Sequence, residues 1–88
     1  MSTNDDSEPV IARVYDAAGL GQVVRALRLQ RAWTQTELAE WLGVHRVTVA
    51  KLERGGSVDV PVALRAIGML GGLVEIRSRD GTGGKPDA

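Results

Sequence analysis

The feature that most constrains this chain is a glycine-centred turn between two short apolar stripes. Leu38, Ala39 and Leu42 recur at helical spacing, as do Thr48, Val49 and Leu52, and only Gly43, Val44 and His45 separate the two helices they imply. So short a connection forces the second helix back across the first. Ala39 must then be small where the helices cross, and Gly43 must give the turn its backbone freedom. Leu38, Leu42, Val44, Val49 and Leu52 close the core beneath.

Local signals set the flanking elements. Asp16 can cap a helix over residues 17–31 whose inner face carries Leu20, Val23, Val24 and Leu27. Thr34 with Glu37 forms a capping box for a helix over residues 35–42, and the next helix covers residues 46–54 before Gly55-Gly56. Asp59, with Pro61 in the first turn, starts a fourth stripe of Ala63, Leu64, Ile67 and Leu70 that runs to Gly71-Gly72. The period then changes: Leu73, Glu75, Arg77 and Arg79 alternate with Val74, Ile76 and Ser78, as in a strand. A lone strand must pair with a second chain, with residues 10–15, or with nothing. Its own copy in a dimer is the expected partner, with Leu73, Val74 and Ile76 as the dimerisation residues.

An 88-residue chain has room for a single small core, so compact helix packing or self-association is expected. The expected organisation is a disordered acidic arm over 1–9, one domain over 10–79 and a disordered tail over 80–88. With no cysteine there is no disulfide framework, thiolate metal site or thiol chemistry. The acidic start lacks the pattern of a secretory signal, and the longest uncharged apolar stretch, residues 66–74, is half the length of a membrane span. A cytoplasmic location follows as the expectation. The net charge of zero hides an uneven distribution: residues 17–58 hold six bases against three acids, and nine of the eleven bases are arginine.

Taken together, residues 35–54 have the spacing of a helix-turn-helix. Arg28, the run Trp33-Thr34-Gln35-Thr36-Glu37-Leu38-Ala39-Glu40, Leu42-Gly43-Val44 and Leu52-Glu53-Arg54-Gly55 resemble the Cro/C1 (Xre) class of phage-repressor-like domains. The resemblance covers about residues 16–70. It implies an all-α, lambda-repressor-like helix-turn-helix bundle of four to five helices, with one C-terminal β-strand paired across a dimer. Tyr15, the run Trp33-Thr34-Gln35 and the strand after the fourth helix look, more narrowly, like HipB-type antitoxins. That likeness implies a cytoplasmic, nucleoid-associated homodimer that binds operator double-stranded DNA, represses its own operon and sequesters a HipA-type kinase toxin. The sequence departs from the pattern at Ala32, where a glycine commonly ends the first helix, and at His45, a weaker cap than Ser or Thr.

By the same resemblance, Arg46, Val47 and Lys51 fall on positions that meet bases in the major groove. Gln35, Thr48, His45 and Arg54 fall where phosphates are met. The plain alternatives are a solvated helix face, capping by Gln35 and Thr48, a solvated turn at His45 and a helix-dipole role for Arg54. Arg28 and Glu53 are expected to form a partly buried structural ion pair. Trp33 is expected to plug the junction of the first two helices, whereas Trp41 reads either as an interface anchor or as boundary packing.

No cofactor, metal or catalytic set is expected. A single histidine gives neither a multi-histidine site nor a catalytic triad. Gly19-Leu20-Gly21 lacks the strand and further glycine of a dinucleotide fingerprint, and residues 81–85 lack the remainder of a phosphate loop. Two alternatives to the antitoxin stand: a free-standing Xre-type regulator without a toxin, and a protein-interaction module that has lost DNA binding.

Overall fold

The computed structural model describes residues 10–56 and 59–78. The arm 1–9, the tail 80–88 and Arg79 therefore lie outside the described residues. Four helices follow in order: α1 (Ala17–Gln30), α2 (Gln35–Leu42), α3 (Arg46–Arg54) and α4 (Val60–Met69). α1 ends one residue earlier than its apolar spacing suggests, with Arg31 as its C-cap.

The starts follow the expected capping chemistry. The Asp16 carboxylate accepts from the Gly19 amide at 2.9 Å, and Asp59 accepts from Val62 at 3.1 Å. Thr34 and Glu37 complete a reciprocal box: the Glu37 amide donates to Thr34 Oγ1 at 3.0 Å and the Thr34 amide to Glu37 Oε1 at 2.8 Å. His45 precedes α3 without a side-chain cap.

All four ends use one device. The residue after each C-terminal turn has positive φ, and the next amide reaches back to the carbonyl five residues earlier: Trp33 to Arg28, Val44 to Ala39, Gly56 to Lys51 and Gly72 to Ile67. This is the Schellman pattern, which satisfies helix-end carbonyls with main-chain donors. Glycine holds the positive-φ position at Gly43, Gly55 and Gly71, whereas α1 turns on Ala32 at φ 60°.

The core is one cluster. Val24 and Leu27 of α1, Leu38, Ala39 and Leu42 of α2, Val49 and Leu52 of α3, and Ala63, Ala66, Ile67 and Leu70 meet in it. Trp33 and Val44 pack partly buried against its edge, Trp33 at the α1–α2 junction as expected. α3 packs on both α1 and α2, and α4 closes the bundle against α1 and α2. The α1–α3 contact is backbone to backbone: a Cβ at Gly21 would collide with the Leu52 carbonyl oxygen.

The expected C-terminal strand is not formed within this chain. Residues 73–78 join no strand, residues 10–15 do not pair with them, and Leu73, Val74 and Ile76 are exposed, Ile76 at 91%. Strand geometry persists only when a neighbouring strand takes up its amides and carbonyls, and the described part of a single chain supplies none. No described helix is long and apolar enough to cross a membrane.

Candidate nucleic-acid interface

The close approach at Gly21 sets α3 beside α1, leaving the outer side of α3 open. Arg46, Val47, Lys51 and Arg54 are all exposed there. Arg46, Ala50 and Arg54 fall on one row at a spacing of four residues, and Val47 and Lys51 on the neighbouring row. Beside the first row, Gln22, Arg25, Gln35, Arg46, Ala50, Glu53 and Arg54 line an open cleft of about 430 Å³ between α1 and α3. Arg25 and Gln22 were not singled out by sequence reasoning. Their three-residue spacing on the polar side of α1 was the available signal, and only the α1–α3 contact gives it meaning.

Glu53 does not cancel the charge of the three cleft arginines, because its carboxylate is engaged inward. Arg28 grips it with two parallel bonds, Nε to Oε2 at 2.6 Å and Nη2 to Oε1 at 2.9 Å. Arg28 is 7% exposed and Glu53 3%. Arg28 Nη1 also donates to the Trp33 carbonyl at 2.7 Å, and Gln22 Nε2 donates to the Glu53 carbonyl at 2.9 Å. The Glu53 hydrogen bond, opposed by burial and reinforced by the carboxylate charge, raises the Arg28 pKa above its ordinary value. The expected structural ion pair is therefore present, and it ties α1 to α3.

A further bond leads outward from the pair. Gln35, at the start of α2, donates from Nε2 to Glu53 Oε1 at 3.1 Å, and its Oε1 accepts from Arg46 Nη1 at 2.9 Å. The residues read separately as base contact, phosphate contact and ion pair thus form one hydrogen-bonded line. His45 is exposed, and Thr48 is half-buried in the first turn of α3. On the far end of α2, Trp41 is 64% exposed, its ring 5.8 Å from that of Trp33. Leu73, Val74 and Ile76 have no part in this cleft. Among the described residues no group of three or more His, Asp or Glu is placed to hold a metal ion.

An open cleft lined by arginines suits an extended polyanion better than an enclosed small molecule. The capped α2, the Gly43 turn and the exposed α3 on a four-helix bundle define the class of helix-turn-helix domains. The comparison with known sequences agrees: residues 19–74 match the helix-turn-helix domain family, and the chain belongs to it. No curated protein matches it. Among solved structures the fold is similar to one described as "MDT Protein", with a TM-score of 0.68 at 20% identity over 80% of this chain and all of the other. It is similar to a chain in a HipA–HipB–O2–O3 complex, with a TM-score of 0.67 at 20% identity over 80% of this chain and 100% of that one. A HipB variant in complex with an O2 20mer superposes with a TM-score of 0.69 at 19% identity over 81% of this chain and 100% of the other. The all-α helix-turn-helix bundle expected from the Xre and HipB resemblance is thus found, without the C-terminal strand among the described residues.

Proposed function

We propose that the protein is a sequence-specific DNA-binding repressor of the HipB-like antitoxin type, acting as a homodimer that represses its own operon and neutralises a HipA-type kinase toxin. The observation that carries the DNA-binding part is the exposed face of α3, with Arg46 and Arg54 on one row and Val47 and Lys51 on the next, beside the cleft holding Arg25. In this reading α3 enters the major groove, where Arg46 donates to guanine, Val47 meets a thymine methyl and Lys51 reaches a base edge. Gln35, Thr48, His45, Arg54 and Arg25 lie where the flanking phosphates pass. The homodimer in this reading is supported by Leu73, Val74 and Ile76, apolar residues that stand in water in the single chain. Two copies then read half-sites about 10 base pairs, or a multiple of that, apart. The toxin partner is supported by the likeness of the fold to a chain in a complex of HipB with HipA.

The test is a titration of duplexes recovered from the chain's own upstream region. Arg46→Ala and Lys51→Ala each weaken binding by roughly tenfold or more, and the wild-type affinity falls steeply with salt. Substitutions on α3 that leave the affinity unchanged would remove it from the groove. For the partner, a nuclease-treated pull-down recovers a kinase in near-stoichiometric amount. Recovery of the chain alone, with DNA binding intact, supports a free-standing regulator; absence of DNA binding supports an interaction module.

A further inference from the structure

We infer that Gln35 determines which base Arg46 reads, and that the buried Arg28–Glu53 pair is the fixed end of the linkage through which it does so. The inference rests on the DNA-binding reading above and changes the role of one residue in it: Gln35 orients Arg46 in addition to lying near a phosphate. The two bonds of its amide fix the orientation, because a carboxylate only accepts and a guanidinium only donates. With Nε2 on Glu53 Oε1 at 3.1 Å and Oε1 on Arg46 Nη1 at 2.9 Å, a flipped amide would lose both bonds.

The inner end of this line is buried and held by several hydrogen bonds. Glu53 is 3% exposed and held at both carboxylate oxygens by Arg28, which is itself anchored on the Trp33 carbonyl. The outer end, by contrast, is an exposed arginine that would sample many rotamers if unanchored. Engaging one Nη1 proton narrows the orientations open to the guanidinium relative to α3 and leaves its other donors free. A planar fork can meet the two acceptors of guanine only in a defined plane. Losing the anchor therefore loosens discrimination at the one base pair that Arg46 faces. A phosphate ligand behaves otherwise, since its loss weakens every sequence alike.

Selection from a random duplex library, followed by titration of the selected and single-mismatch duplexes, separates these roles. The variants are Gln35→Met, which keeps the side-chain length without the two bonds, Arg46→Ala, and the two combined. Gln35→Ala is a second variant with good helix propensity, and thermal melts confirm that each remains folded. Arg46→Ala is expected to relax one position in each half-site. Gln35→Met should relax that same position by roughly tenfold over and above the uniform weakening that loss of its phosphate contact brings to every duplex. At that position, combining the two should relax discrimination no further than Arg46→Ala alone. Equal weakening at all positions, with a salt slope shallower by about one, makes Gln35 a phosphate ligand only and overturns the inference. Additive effects of Gln35→Met and Arg46→Ala on discrimination at that position overturn it as well. A wild-type protein that selects no sequence overturns the DNA-reading assignment itself, a different result from either of these.

Discussion

At the scale of single residues, the Arg28–Glu53 pair shows how charge can be buried without an orphaned atom. No buried side-chain nitrogen or oxygen among the described residues lacks a hydrogen-bond partner, so the desolvation of both groups is offset locally. Such a pair is fragile to one-sided change. Glu53→Ala leaves a guanidinium buried without its carboxylate, and a urea titration is expected to show a loss of about 3 to 5 kcal/mol. Replacing both partners at once, Arg28→Met with Glu53→Leu, should recover a large part of that loss. The pH dependence has a definite sign. Arg28 is a base whose folded pKa is raised, so its stabilisation is complete below its unfolded pKa and declines only as the pH rises through the higher folded value. Arg28 therefore makes no contribution to acid unfolding. Ala32 is the opposite kind of residue, exposed and under backbone strain at φ 60°. Ala32→Gly relieves that strain with little packing lost, and its melting curve is expected to show a gain of about 0.5 to 1 kcal/mol.

At the scale of elements, two glycines inside helices make opposite predictions. Gly21→Ala drives a methyl into the Leu52 carbonyl and must push α1 away from α3, with an expected loss of about 1 to 3 kcal/mol in a thermal melt. Gly68→Ala in α4 meets nothing within 4 Å and should gain about 0.5 to 1 kcal/mol by the same measurement. The contrast also marks where sequence reading stops. The four helices were legible because their signals are local: Asp16, Thr34 and Asp59 act within three residues, and Gly43, Gly55 and Gly71 stop the chain where they stand. The exposed face of α3 and the ion pair were legible through family likeness. Gly21 and Arg25 were not, since a glycine or an arginine in α1 looks the same whatever another helix places beside it. The apolar alternation after Gly72 was equally plain, but a strand also requires a partner, and no pattern within one chain names it.

At the scale of the whole molecule, the domain exposes the kind of surface that a single copy does not need. If Leu73, Val74 and Ile76 join two chains, Ile76→Asp leaves the helical core intact because that side chain touches none of it. Sedimentation should then show a shift from dimer to monomer with unchanged helicity. Operator affinity should fall by roughly a hundredfold, as the second half-site loses its tether. A mutant that stays dimeric would place the joint elsewhere. The shared design of the helix ends has a separate consequence. Each helix stops through main-chain amides and carbonyls, and α3 goes further, for His45 contributes no side-chain cap at its start. Its outward-facing side chains are therefore not needed to begin or end the helix that displays them. If α3 reads DNA as proposed, such a scaffold is retargetable: new residues grafted at 47 and 51 change the target while the frame that presents them stays the same.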